Sequence, residues 1–253
     1  MATALIYDRM PERAAARRTR RVFYPTGDGK PMAETEAHVL QIAEQLIALR
    51  LYCGRRAYVA GNNFVYYEQG NPKARISPDT YIVPGVSTRL RDSYKVWEEG
   101  GKPPTVVFEI TSKGTMDEDL RRKFELYEQV LKVVEYFLFD PKGEYLSPPL
   151  RGYRLQNGRY VPIPLEDGRM RSEQIGLELV LQGDRLRFYD PTAGRFLPTL
   201  EESEAQRAIA EAGRNEAEAG RTEAEAGRTE AEAEVARLRA ELAALRDQAS
   251  HQD

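Results

Sequence analysis

The sequence predicts a mixed α/β domain, with helices packed on a sheet, followed by a long C-terminal helix. Three observations lead to this fold class. Residues 33–51 place apolar side chains at helical spacing after an acidic first turn, short apolar runs bounded by Gly, Asn and Pro follow, and a seven-residue repeat begins after residue 200. A chain of 253 residues is long enough for one such domain and an appendage.

Strands are predicted in RAYVAG, NFVYYEQG and ARISPDTYIVPG, whose short connections favour consecutive antiparallel pairing. After a polar segment over 94–101, the run TVVFEIT (105–111) has the β-branched composition of a buried strand. The spacing predicts a second helix over 117–134, with an apolar face of Leu120, Phe124, Tyr127 and Leu131. EYFLFDP (135–141) then predicts another strand, which gives a mixed sheet flanked by helices.

Residues 146–196 continue the domain as short strands and turns. GYRLQNGRYVPIP contains the Asn-Gly signal of a β-hairpin, and DRLRFYDPTAGRFLP predicts further strands. We expect a β-rich extension, such as an edge ribbon, and find no catalytic constellation in it.

The tail repeats EAGRNEA, EAGRTEA and EAGRTEA with a period of seven residues. Apolar residues occupy the a and d positions of a heptad near its end: Val235, Leu238, Leu242 and Leu245. Earlier heptads carry Arg at a and Ala at d, and each of their glycines weakens a helix by about 1 kcal/mol. We expect a short coiled coil that forms a homodimer; a single solvated helix is the alternative.

Charge and cysteine content limit the classes of function. Residues 1–200 carry 30 Lys and Arg against 26 Asp and Glu, whereas residues 201–253 carry 7 against 14. This charge permits DNA as a partner without predicting it. Arginines before residue 22 indicate a basic N-terminal tail, which in most proteins is simply solvated. The single cysteine, Cys53, and the lack of a signal-peptide core or an apolar run of about 18 residues predict a cytoplasmic protein without a membrane span.

Two acidic residues stand at predicted strand positions, Asp79 in ISPDTYIV and Glu109 in VVFEITS. Two converging carboxylates can hold a hard divalent cation such as Mg²⁺, with Mn²⁺ as an alternative. Glu109 interrupts an apolar strand, where an unpaired carboxylate would cost several kcal/mol, so it needs a cation, hydrogen bonds or an exposed face. Taken singly, either residue also fits an ordinary exposed or hydrogen-bonded acid.

The helix that follows places Asp119, Lys123 and Tyr127 at i, i+4 and i+8, and so on one face. A lysine beside metal-bound carboxylates can orient water for attack on a phosphodiester and stabilise charge on the phosphate. The spacing alone is equally typical of a surface Asp–Lys pair. Lys113 is a weaker candidate for the same role, and His38 is interpreted as a structural histidine.

These residues belong to longer strings, namely SPD at 77–79, VVFEITSKGT at 106–115, D-x-x-x-K-x-x-x-Y at 119–127 and EYFLFDP at 135–141. Together with YPTGDGKPMAETEAH, YVAGNNFVYYEQGNP and the later GYRL and LRFYDPTAGRFL segments, they resemble the bacterial Uma-type putative restriction endonuclease family. That family lies within the PD-(D/E)XK nuclease superfamily, and the resemblance covers residues 22 to about 200.

The resemblance implies a restriction-endonuclease-like fold over 22–200, between the basic tail at 1–21 and the helical tail at 201–253. It implies that Asp79 and Glu109 bind the metal, that Lys123 is the catalytic lysine, and that Asp119 and Tyr127 support it. The superfamily pattern places a lysine two residues after the glutamate, where this chain has Thr111; in this family the lysine has moved to the helix.

The function expected from these residues is a metal-dependent endonuclease that hydrolyses phosphodiester bonds in DNA. The alternative is a non-catalytic nuclease-fold protein that binds DNA or regulates a partner and oligomerises through its tail. A third hypothesis is action on RNA or another phosphate ester, because metal activation of water serves all of these reactions.

Overall fold

The computed structural model describes residues 22–26, 36–112 and 114–250, and the side chains as far as residue 242. The predictions made for residues 1–21, for Lys113 and for the Leu245 side chain lie outside the described residues. Within them, the predicted mixed α/β class with a long C-terminal helix is confirmed. No helix in these ranges is long and apolar enough to span a bilayer.

Thirteen strands are present in the described ranges. They are β1 (Ala57–Ala60), β2 (Phe64–Tyr66), β3 (Arg75–Ile76), β4 (Thr80–Pro84), β5 (Ser93–Lys95), β6 (Val106–Ile110), β7 (Glu135–Phe139), β8 (Leu150–Gln156), β9 (Arg159–Pro162), β10 (Arg169–Ser172), β11 (Leu177–Gln182), β12 (Arg185–Asp190) and β13 (Arg195–Phe196). The strands form a central six-stranded sheet in the order β1-β4-β6-β7-β8-β9, a four-stranded sheet β10-β11-β12-β13 and a small sheet β3-β2-β5.

The helices are α1 (Glu36–Cys53), a short 3₁₀ helix (Val96–Glu99), a helix between β6 and β7, and α2 (Leu200–Ser250). The helix between β6 and β7 contains two π-helical stretches, Glu118–Lys123 and Leu126–Leu131, and is called the π-wound helix here. It ends at Leu131 because Lys132 adopts a left-handed backbone with φ 53°. Parallel strands need such a crossover, and β6 and β7 are the parallel pair of the central sheet.

Consecutive antiparallel pairing is confirmed for β2 and β3, but it is wrong for β1. β1 pairs with β4 in the central sheet, whereas β2 pairs with β3 and, in parallel, with β5. The segment over 94–101 that looked merely polar supplies part of β5 and the 3₁₀ helix. The cause is tertiary, because β2 packs as part of a separate layer against one face of the central sheet.

The later half contains more sheet than an edge ribbon. The predicted Asn-Gly hairpin is confirmed, since Asn157 and Gly158 both have positive φ and join β8 to β9. That hairpin extends the central sheet, while β10–β13 form their own antiparallel layer. A buried carboxylate, Glu135 of β7, ties the layers together by accepting hydrogen bonds from Ser172 Oγ and the backbone N–H of Glu173.

Alternation along β6 divides its side chains between two apolar cores. Phe108 packs in the core that includes α1 and the four-stranded sheet, whereas Val107 packs in the core that includes the π-wound helix and the small sheet. By the same alternation Glu109 shares the face of Val107. The acid therefore points toward the π-wound helix rather than toward α1.

The buried face of α1 combines apolar side chains, such as Ile42 and Leu49, with polar ones. Val39 is 51% exposed, while Gln41 is buried and exchanges hydrogen bonds with the backbone of Leu186 in β12. Gln41 can lie on this face because its partner lies on a strand that is distant in sequence.

Candidate active site

Strand register sets the two predicted acids side by side. β4 runs antiparallel to β6 with Thr80 opposite Phe108, and one further residue along this register sets Asp79 opposite Glu109. The backbone N–H of Ile110 donates to Asp79 Oδ2 at 2.7 Å, and the N–H of Asp79 donates to Glu109 Oε2 at 3.3 Å. The two carboxylates therefore converge at the ends of two inner strands of the central sheet.

Glu109 is buried, and both of its oxygens accept hydrogen bonds. Tyr127 Oη donates to Oε1 at 2.7 Å, and Lys123 Nζ donates to Oε2 at 2.8 Å. This satisfies the requirement that the sequence placed on an acid inside an apolar strand. The partners come from the π-wound helix, so the helix and the strand hold each other in position.

Lys123 bridges two carboxylates. Its Nζ atom lies 2.9 Å from Asp119 Oδ1 as well as 2.8 Å from Glu109 Oε2. The contact between Lys123 and Asp119 is an ion pair within one helix, between residues four positions apart. Asp119 is 1% exposed, which excludes the ordinary surface pair that the spacing alone allowed.

The π-helical winding aligns these side chains. In a regular α-helix each i+4 step rotates a side chain by about 40° around the axis, so residues 119 and 127 would lie about 80° apart. A π-helix has a wider turn, with i→i+5 hydrogen bonds, and this reduces the drift. Asp119, Lys123 and Tyr127 consequently approach a single column that faces Glu109.

His38, interpreted from sequence as structural, lies at the site. Its Nε2 atom is 3.2 Å from Asp79 Oδ2, and its side chain is buried at the first turn of α1. The sequence contains one signal of this, a histidine at the boundary between the polar and apolar faces of the helix. That signal does not identify a partner 41 residues away.

A close backbone approach positions Asp79. A Cβ atom added at Gly61 would lie 2.0 Å from the carbonyl oxygen of Asp79, which no side chain tolerates. The adjacent Asn62 donates its backbone N–H to Pro78 O at 2.9 Å. The turn after β1 therefore packs directly on the Pro78–Asp79 backbone, and it requires glycine at position 61.

Burial and neighbouring charges shift the pKa values of the three carboxyl groups and of the lysine. Burial raises the pKa of Glu109 well above its usual range, and burial also raises the pKa of Asp119. Burial acts in the same direction on Asp79, but the hydrogen bond with His38 and the Lys123 charge outweigh it, so the pKa of Asp79 is lowered. Burial opposes the charge of Lys123, yet the surrounding carboxylates raise its pKa. Lys123 is therefore a permanent positive charge at neutral pH.

Thr111 occupies the position where the superfamily pattern has its lysine. The Thr111 side chain is 2% exposed, and its hydroxyl has no hydrogen-bond partner among the described residues. The ammonium group that contacts Glu109 comes instead from the helix, through Lys123. The structure thus brings together Asp79, Glu109, Asp119, Lys123 and Tyr127, as the sequence predicts.

The oxygen donors at this edge suit a hard divalent cation. Mg²⁺ is commonly held by one or two carboxylates and completes its shell with water and substrate phosphate. Both hydrogen bonds described for the Asp79 carboxylate fall on Oδ2, and its side chain is 12% exposed, whereas that of Glu109 is fully buried. No group of three or more His, Cys, Asp or Glu residues in the described ranges is arranged for a metal. A cation here would therefore rely on the carboxylates of Asp79 and Glu109 alone, together with water and substrate oxygens.

A mixed sheet with Asp79 and Glu109 at the ends of adjacent strands, and a lysine beside them on the following helix, has the arrangement expected of a PD-(D/E)XK nuclease. Residues 7–186, more than half of the chain, match the family model described as "Uma2: Putative restriction endonuclease", and the chain belongs to this family. The matched range begins and ends earlier than the resemblance over 22 to about 200.

Solved structures include a crystal structure described as a "putative nuclease belonging to DUF820" from Anabaena variabilis. It shares 14% identity with this chain, covers 58% of this chain and 76% of its own, and has a TM-score of 0.41. No curated protein matches the chain.

Proposed function

We propose that this chain is a Mg²⁺-dependent endonuclease that hydrolyses phosphodiester bonds in DNA, with Asp79, Glu109 and Lys123 as its catalytic residues. Membership of the family supports a nuclease. The observation that carries the proposal is the buried ammonium of Lys123, 2.8 Å from Glu109 and 2.9 Å from Asp119, beside Asp79. An ion pair between Lys123 and Glu109 that only stabilised the fold would not require a second acid, Asp79, held opposite Glu109 on the neighbouring strand.

Asp79 and Glu109 would hold the metal, which when bound supplies a Lewis acid and lowers the pKa of a bound water. Lys123 remains protonated, so it places a fixed positive charge where negative charge develops on the phosphate. Tyr127 donates its hydroxyl proton to a hydrogen bond with Glu109, and the raised pKa of Tyr127, caused by burial, keeps that donor intact. Asp119 fixes the lysine from its other side.

His38 is a positioning residue in this scheme, because it contacts Asp79 from α1. Partners in an outer shell commonly orient metal-binding carboxylates and affect metal affinity. Cys53 is free and buried in the structure. A single cysteine suits a reducing compartment, and we place the protein in the cytoplasm on that basis. Homodimerisation through α2 would suit cleavage of both DNA strands.

The test is nicking of supercoiled plasmid with Mg²⁺, with Mn²⁺ and with chelator. Wild type is compared with Asp79→Asn and Lys123→Met, and with Arg121→Met as a control on the exposed side of the same helix. We expect metal-dependent nicking by wild type and the control, and its loss in the other two variants.

A wild-type protein that binds DNA without nicking it under any divalent ion would refute the enzyme and favour the non-catalytic alternative. Cleavage of RNA in place of DNA would keep the chemistry and change the substrate. Activity that persists in Lys123→Met would remove the lysine from the mechanism.

A further inference from the structure

The long helix α2 presents an apolar stripe that the rest of the described chain leaves uncovered. α2 contains 51 residues, about 77 Å of helix, and every residue from 204 to 242 is exposed. Within that range the large apolar side chains at heptad positions a and d are Val235, Leu238 and Leu242, which are 47%, 51% and 52% exposed. Such a stripe is typical of a helix that pairs with another helix.

We infer that α2 pairs in parallel and in register with α2 of a second copy of this chain, through the segment that contains Val235, Leu238 and Leu242. The inference rests on the homodimer proposed above and adds its orientation. A strongly acidic tail disfavours nucleic acid as the occupant of this stripe, since residues 201–253 carry 7 Lys and Arg against 14 Asp and Glu.

The charges that flank the stripe favour the parallel arrangement. Glu234 is at position g and Arg239 at position e of the next heptad, and g–e′ pairs meet across a parallel dimer. Each Glu234 would then face Arg239 of the other copy, twice in the dimer. Within one chain Glu234 accepts a hydrogen bond from Arg237 at 3.2 Å, an exposed pair that costs little to exchange.

An antiparallel pair would bring like charges together. If Leu238 of one copy packs on Leu242 of the other, the e–e′ contact joins Arg239 to Arg239 and the g–g′ contact joins Glu241 to Glu241. Both contacts lie beside the two-fold axis of the dimer, and each brings two like charges together, which is repulsive. The charged side chains that flank the apolar stripe therefore attract each other in the parallel dimer and repel each other in this antiparallel dimer.

The arginines of the earlier heptads are compatible with parallel pairing. Arg228 at position a bonds to Glu232 at position e, with 2.8 Å between Nε and Oε1, so its charge is directed out of the stripe. Its aliphatic stem remains available to cover Ala231 at position d. The seam is thus strongest at its C-terminal end and weaker toward the nuclease domain.

Orientation decides where the two nuclease domains lie. From Leu200 to Leu238 the helix extends roughly 57 Å. A parallel pair sets both domains at the same end, where they can act on the two strands of one duplex. An antiparallel pair would separate the starts of the helices by about twice that length.

The experiment uses the full chain with one added cysteine at a time, and wild type as the background because Cys53 is buried. Ala224→Cys and Ala231→Cys lie at successive d positions, and Ala233→Cys at the outward f position is the matched control. Each protein is oxidised and run on a non-reducing gel, and its mass in solution is measured by light scattering.

A dimer mass with self-cross-linking of both d-position variants, and little in the f-position control, would support the inference. An antiparallel dimer has a single dyad and cannot cross-link both d positions. A dimer that cross-links at one or neither would overturn the orientation and leave the dimer standing. A monomer or trimer mass would overturn both, while plasmid nicking reports separately on the nuclease.

Discussion

Replacement of Lys123 by methionine tests the central arrangement of the site. The substitution keeps an unbranched side chain of similar length and removes the charge between Glu109 and Asp119. Removing one partner of a buried ion pair costs about 3–5 kcal/mol, because the other charge remains buried. At about 2–4 °C per kcal/mol for a chain of this size, the melting temperature should fall by roughly 10 °C.

Urea unfolding of the metal-free protein, followed by circular dichroism, measures the loss directly. Arg121→Met, on the exposed side of the same helix, should change the unfolding free energy by less than about 0.5 kcal/mol. The double variant Glu109→Gln/Lys123→Met should lose less than the sum of its single variants, since it buries no unpaired Glu109 charge. A Lys123→Met protein within about 1 kcal/mol of wild type would refute the buried-pair reasoning.

Three further predictions concern two residues that contact Asp79 and one acid, Glu128, on the far side of the π-wound helix from the strand acids. Gly61→Ala should shift the Asp79 backbone, destabilise the protein by about 1–3 kcal/mol and weaken Mg²⁺ binding measured by calorimetry; Gly213→Ala, which meets nothing within 4 Å, should leave metal binding unchanged. His38→Ala should weaken Mg²⁺ binding by about 10-fold, and unchanged affinity would show that the histidine only packs. The pKa of Glu128 is lowered chiefly by a backbone N–H donor, so Glu128→Gln should cost about 1 kcal/mol near pH 7. That cost should disappear as the pH falls through the lowered pKa, because wild type then loses the same charge; a deficit that is constant with pH would contradict this.

Local sequence patterns predict part of the site. The i, i+4, i+8 spacing of Asp119, Lys123 and Tyr127 indicates one helical face, and an acid inside TVVFEIT requires a partner. Together they predict that the helix supplies the partner of Glu109, because β6 leads directly into the helix and the partner is therefore close along the chain. The position of Asp79 opposite Glu109 depends on strand register, because a slip of one residue would turn the apolar side chains of β4 to the other face.

The sequence by itself determined the mixed α/β class and the long tail, since both depend on periodicity within a few turns. The resemblance to a known family singled out the two acids and the helical lysine, whose spacing alone left other interpretations open. Only the tertiary structure decided the departure of β2 from the central sheet, the buried Gln41 on α1, the contact of His38 with Asp79 and the close approach of Gly61. Each of these pairs groups on different elements, and no local pattern encodes which surface another element will cover. The π-helical winding around Lys123 belongs to the same class, because local propensity predicts a regular helix there.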